Sequence, residues 1–189
     1  VAVLPGDGRL LRCTLEGKAA RVHDLAWPDT EPVRKVRLAV ALSKPDALEA
    51  AVRMATEVGV SSFVVFPSAR SVVRWQPGVE QEKLERLRRI VREAAEVAFR
   101  TVLPPVAWAA RLEDVLCPEW WALSESEDAA RTWPAIGAAP TLLLGPEGGW
   151  APQEAALLAG RSLSLGPCVM RVATAAAVGS ATMVNFPGP

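Results

Sequence analysis

Two short glycine loops carry most of the chemistry that this sequence offers. Gly145-Pro146-Glu147-Gly148-Gly149 follows the apolar run Thr141–Leu144, and Gly166-Pro167 follows Leu163-Ser164-Leu165. Glycine lets a backbone approach a ligand closely and adopt conformations closed to other residues. Backbone amides and carbonyls then become the binding groups themselves. A strand-to-helix turn without any ligand is the alternative reading of the first loop. Two familiar nucleotide sites do not fit it. A phosphate-cradling P-loop ends in Gly-Lys-Ser/Thr, and this loop has no lysine; a dinucleotide fingerprint needs Gly-x-Gly-x-x-Gly on the first strand-helix turn, and Gly145, Gly148 and Gly149 have the wrong spacing late in the chain. Cys13, Cys117 and Cys168 lie far apart, and none is near His23, the only histidine. That spacing supports neither a disulfide framework nor a zinc site, so no metal is expected and a reducing, cytoplasmic setting is the default.

The elements around these loops follow from periodicity. Val36–Leu42, Phe63–Phe66, Pro105–Ala109, Trp120–Leu123, Thr141–Leu144 and Ser162–Leu165 read as strands. Between them, Asp46–Val58 places Leu48, Val52, Ala55 and Val58 on one helical face, with Gly59 as the stop. A longer helix over Glu80–Phe99 turns Leu84, Leu87, Val91, Ala94 and Ala98 inward and Arg86, Arg88, Arg89 and Arg92 largely outward. A short helix is expected from Pro152, and a last one over Ala175–Val184 with Thr174 as its N-cap. Strand and helix alternation argues for an α/β domain with a mainly parallel sheet, in which ligands bind outside the carboxyl ends of the strands. Residues 1–34 differ: Arg9–Leu15 and Ala19–Leu25 read as two strands of a small β domain, joined by an exposed Trp27–Pro32 linker to a second domain over 35–189. Trp120 and Trp121, being consecutive on a strand, must face opposite sides of the sheet.

Composition bounds the function. Of the 189 residues, 50% are hydrophobic and 22% charged, which excludes wholesale disorder. No apolar run approaches the roughly 20 residues that cross a bilayer, so no membrane is expected. The chain begins at Val1 rather than methionine, which suggests a missing native start, with a processed leader as the alternative. Lys plus Arg and Asp plus Glu number 21 each, which argues against coating nucleic acid by bulk charge. The balance hides a front half of +4, over residues 1–100, and a remainder of −4. This is either a chance excess on solvated helices or a basic half that meets a polyanion.

A family resemblance sharpens these readings. Leu144-Gly145-Pro146-Glu147-Gly148-Gly149, then Glu154, then Leu165-Gly166-Pro167-Cys168-Val169-Met170-Arg171-Val172-Ala173-Thr174-Ala175 resembles the paired C-terminal motifs of the 16S ribosomal RNA uridine-N3-methyltransferases, of the SPOUT superfamily. Ala55–Val60, Pro67 with Arg70-Ser71-Val72, and Glu93-Ala94-Ala95-Glu96 with Arg100 and Pro104 look like the same family in the same order, so the resemblance covers roughly residues 36–185. It implies a knotted α/β methyltransferase domain that binds S-adenosylmethionine between knot loops. It also implies a PUA-like β-barrel in front, here partial, a homodimer, and 16S rRNA or the small ribosomal subunit as partner.

On that resemblance, the cofactor-binding set is Leu143, Leu144, Gly145, Pro146, Glu147, Gly148, Gly149, Leu165, Gly166, Val169, Met170 and Thr174. Arg171 and Glu147 are the catalytic candidates. Arg171 would contact uridine or phosphate and stabilise a uridine anion, or else form a surface or interface ion pair. Glu147 would orient the cofactor or help to take the N3 proton, or else cap amides of its own loop. Lys44, Arg53, Arg70, Arg74 and Arg100 are expected to bind RNA. Cys168 is expected to be a small buried hydrophobe. Four positions depart from the family: Met54 replaces a lysine, Val97 a glutamine, Cys168 an arginine, and Ala173 a glutamate. They leave open a second expectation, a weakened or inactive paralogue serving as an RNA-binding or ribosome-assembly factor.

Overall fold

The computed structural model describes residues 1–185. Strands β1 (Ala2–Val3), β2 (Leu10–Glu16) and β3 (Ala19–Ala26) form a small antiparallel sheet. The two expected strands are there, and β1 adds a third that is too short to leave a periodic signal. A larger sheet contains β4 (Arg37–Ala41), β5 (Ser62–Phe66), β6 (Val106–Trp108), β7 (Trp120–Leu123), β8 (Thr141–Leu144) and β9 (Ser162–Leu163) in the order β6-β5-β4-β8-β7-β9, every pair parallel. All six carboxyl ends therefore open on one edge. Each residue of β8 is buried, as expected of a central parallel strand covered on both faces.

Helices α1 (Pro45–Glu57), α2 (Glu80–Val97) and α4 (Val172–Asn185) share one core with Val36, Leu38, Val40, Leu142 and Leu144, while Ala39, Ala41, Phe66, Ala122, Leu143 and Leu158 form the core of the opposite face. The short α3 (Pro152–Leu157) leads from the first glycine loop toward Leu158. Trp121 packs with the first core and Trp120 with the second, as strand alternation requires. Gly179 lets α4 press onto the sheet, since a Cβ there would stand 2.7 Å from Leu123 Cδ1. Gly59, at φ +105°, ends α1 as its position suggests, whereas α2 ends through Phe99 in the left-handed region at φ 54°. Helix α4 starts at Val172 rather than Ala175. Thr174 therefore lies within the first turn and is not the N-cap; the Arg171 carbonyl accepts the Ala175 amide instead. No helix among the described residues is long and apolar enough to cross a membrane.

The segment joining the two sheets is clamped rather than freely extended. Glu31 accepts from Arg100 Nη2 at 2.6 Å and from the amides of Thr101 and Val102. Arg100 also donates to the carbonyls of Thr56 and Val60, and its side chain is only 5% exposed. Arg100 is thus corrected from an RNA contact to a buried structural cation: every face of its guanidinium is satisfied inside the protein. Burial alone would raise the pKa of Glu31, but the Arg100 guanidinium and the two amides outweigh it and hold the carboxyl below its ordinary value. A carboxyl whose pKa is depressed on folding contributes stability above its unfolded value, about 4.3, that is lost as pH falls through the folded value. Glu31→Gln should therefore lower Tm near neutral pH and flatten the loss of Tm on acidification below about pH 4.3; parallel Tm–pH curves for variant and parent would refute the clamp.

Candidate active site

The carboxyl ends of β4, β7, β8 and β9 surround a cavity of about 760 Å³. That is an ordinary size for a small-molecule site. Three strand-end segments wall it: Leu144–Glu147 with Gly149 and Trp150, Leu163–Val172, and Leu123–Ser126. Lys44 and Ala47 close it from the start of α1. Trp150 Nε1 donates to the Leu123 carbonyl at 2.8 Å, fastening the first loop to the third. Gly145 packs closely there, since a Cβ would lie 3.1 Å from the Trp150 ring and the indole would have to give way.

Gly149 and Gly166 have φ of +68° and +131°, and a Cβ at either would meet no atom within 4 Å. Both line the cavity, so a ligand can lie directly against backbone where any other residue would project a side chain. A cradle of amides, carbonyls and apolar walls from Leu144, Leu165, Val169 and Met170 fits an adenosine with an attached amino acid: rings and thioether chain meet hydrocarbon, polar edges meet backbone.

Of the expected cofactor set, Leu144, Gly145, Pro146, Glu147, Gly149, Leu165, Gly166, Val169 and Met170 line this cavity together. Three do not. Leu143 is fully buried in the opposite core, being the alternate residue on β8. Gly148 sits outside the wall, where its carbonyl accepts from Arg70 Nη1 at 3.2 Å. Thr174 points outward from α4. Cys168 is exposed at the cavity rim, not buried, because the loop between β9 and α4 arches away from the core.

Glu147 does cap an amide, though not one of its own loop. Its Oε1 accepts from Lys44 N at 3.0 Å, joining the glycine loop to the start of α1 across 103 residues of sequence. Arg171 lines the cavity, is exposed, and has no hydrogen-bond or ion-pair partner among the described residues. It is a cation without a structural task. Ala173 follows on the first turn of α4, so no carboxylate stands there.

The basic candidates separate. Lys44 lines the cavity. Arg70 and Arg74 lie on the loop after β5 and do not line it; Arg70 meets the first glycine loop at the Gly148 carbonyl, and Arg74 donates to the carbonyls of Ser68 and Ala69. Arg53 is two turns along α1, about 12 Å from its start, and lies 3.8 Å from Glu93. Sequence reasoning gave no role to Glu125, Ser124 and Ser126, which line the cavity from the end of β7. The position of that loop depends on β7 lying beside β8, which nothing local in the sequence records.

This fold and cavity define an RNA methyltransferase domain, the family that residues 29–184 match. The ribosomal RNA small subunit methyltransferases E of Mycobacterium bovis and Synechocystis are 37% and 34% identical to this chain, covering 92% and 93% of it and 73% and 62% of their own lengths. The chain belongs to the ribosomal RNA small subunit methyltransferase E family. Among solved structures, the family member from Neisseria gonorrhoeae bound to S-adenosyl methionine superposes with a TM-score of 0.84 at 25% identity, covering 97% of this chain and 81% of that one. A methyltransferase from Legionella pneumophila shares the fold, with a TM-score of 0.86 at 23% identity.

Proposed function

We propose that this protein transfers a methyl group from S-adenosylmethionine to N3 of a uridine in 16S rRNA. The observation that carries this reading is the cavity at the carboxyl ends of β8 and β9, walled by backbone of two glycine loops and edged by an arginine without a polar partner among the described residues. Leu144–Gly149 and Leu165–Met170 act as the two knot loops that hold the cofactor. The cofactor supplies an electrophilic methyl on a sulfonium. The chain's residues place uridine N3 in line with that methyl, exclude water, and deal with the N3 proton. Arg171 would offset the negative charge that the uracil carries once its N3 proton has left, a charge that is consumed as the N3–C bond forms and the S–C bond breaks to leave a neutral thioether. One Glu147 oxygen holds the Lys44 amide; the other has no hydrogen bond among the described residues and is available to the N3 proton. An isothermal titration tests the pocket: S-adenosylhomocysteine should bind with one site per chain, and an absence of heat and of competition with S-adenosylmethionine would sink the reading.

The small antiparallel sheet and the basic loops would meet RNA, with residues 1–34 as part of a PUA-like unit and 35–189 as the methyltransferase unit. Lys44, Arg70 and Arg74 are the phosphate contacts nearest the cavity. Each should contribute about −0.7 to −0.9 to the slope of log affinity against log salt. Replacing Arg70 and Arg74 together by glutamine should flatten that slope by about 1.5; an unchanged slope would leave them as solvated surface. A second copy of the chain would cover the outer face of α4, where Val178 is 38% exposed and Thr174 and Thr182 stand in line with it. A small-subunit RNA as substrate sets the work in the cytoplasm.

A further inference from the structure

Glu154 is a carboxylate 8% exposed, and the methyl transfer just described makes no use of it. Three donors satisfy it. Its Oε1 accepts from Ala69 N at 2.8 Å, and its Oε2 accepts from Ser68 Oγ at 3.0 Å and from Ala151 N at 2.9 Å. Ala151 follows the first glycine loop after Trp150, whereas Ser68 and Ala69 lie on the loop after β5, 86 and 85 residues before Glu154. One buried anion therefore ties together two loops with different tasks.

The tie continues on both sides. Arg70 donates to the Gly148 carbonyl, and a Cβ at Gly148 would lie 3.4 Å from both Arg70 Cβ and the Arg70 carbonyl oxygen, so the two loops run close together. Arg74 binds the carbonyls of Ser68 and Ala69, and Ser71 Oγ accepts the Ser68 amide. Ser68 is 2% exposed, so its bond to Glu154 has no water to replace it cheaply. The segment bearing Arg70 and Arg74 can move relative to Gly145–Gly149 only by breaking charge-assisted bonds inside the protein.

We propose that Glu154 is a positioning residue that makes RNA and cofactor binding cooperative, by holding the phosphate-contacting loop and the cofactor loop as one unit. The proposal rests on the function proposed above. A ligand that orders either loop orders the other, so the second ligand loses less conformational freedom when it binds. Linkage makes the effect reciprocal.

The experiment measures the Kd of S-adenosylhomocysteine for the whole chain, alone and with saturating unmethylated 30S subunits. For the parent we expect binding tightened about 5-fold or more by the subunits, within the usual range of coupling. Glu154→Gln puts an amide NH2 where a donor already points, and Ser68→Ala removes one bond while leaving the carboxylate in place. Both should bring the ratio below about 2-fold, with Kd in the absence of subunits changed by no more than about 2-fold. Should Glu154→Gln fail to fold, Ser68→Ala decides alone. A ratio preserved in the folded variants would overturn the proposal, as would loss of binding without subunits, which would mean that Glu154 only shapes the cofactor loop. A parent that binds neither ligand would instead remove the function on which the proposal rests.

Discussion

Arg171→Ala should lower the methyl-transfer rate by about 100-fold to 1000-fold, the usual loss when a preorganised donor is removed from a developing anion. The side chain reaches the cavity and has no polar partner among the described residues, so removing it breaks no structural bond. Its carbonyl, which starts α4 by accepting the Ala175 amide, is kept in the variant. The proposed cofactor contacts are the backbone and apolar side chains of the two glycine loops rather than the Arg171 side chain. Tm and the Kd of S-adenosylhomocysteine should therefore stay close to those of the parent while kcat falls. A variant with parental kcat would show that the cation serves only the surface.

Gly149→Val should give the complementary result, a folded protein with little cofactor affinity. Valine at φ +68° is a severe backbone outlier, since a β-branched residue tolerates the left-handed region poorly. The strain of such a conformation is of order 1–3 kcal/mol, and the turn closed by Gly149 N and the Pro146 carbonyl at 2.9 Å would have to open. The added side chain would also project where no protein atom lies within 4 Å, which is the space assigned to the ligand. We expect a loss of S-adenosylhomocysteine affinity of at least about 10-fold with a modest change in Tm. Normal binding by Gly149→Val would place the cofactor elsewhere.

The loop that carries Gly149 was legible in the sequence because its signal is local, whereas Arg171 was named only through the family resemblance. Three leucines running into Gly-Pro-Glu-Gly-Gly mark a buried strand and the loop at its end, and the period of Leu48, Val52 and Ala55 marks the helix that covers it. What the sequence hid was long-range. Arg100 looks like a free cation at a helix end; its partners come from positions 31, 56 and 60, which only the packing of α1, α2 and the joining segment brings together. Glu147 meets Lys44 because β4 and β8 are neighbours, although 103 residues separate the pair. The cavity wall from Leu123 to Ser126 exists because β7 lies beside β8, and no periodicity encodes strand order. The start of α4 was misplaced for a different reason: Thr174 is a capping residue type that lies within the first turn, while Arg171, Val172 and Ala173 offer no proline, acidic group or capping side chain to announce the true start.

The departures from the family bear on how fast the reaction runs, not on whether the cavity forms. Met54 and Val97 are exposed on helices, 40% and 74%, and neither lines the cavity. Cys168 and Ala173 lie closer, on the loop and helix that follow β9. Losing a positioning or proton-accepting group costs about 100-fold to 10,000-fold, while placement of the reactants by a dry pocket contributes more than that.

The most direct measurement is therefore transfer of labelled methyl from S-adenosylmethionine to 30S subunits that lack the modification, followed by nucleoside analysis of the 16S rRNA. The account predicts label in 3-methyluridine and in no other nucleoside, dependent on Arg171. Cofactor binding with no label in RNA, or label on any atom other than uridine N3, would contradict it.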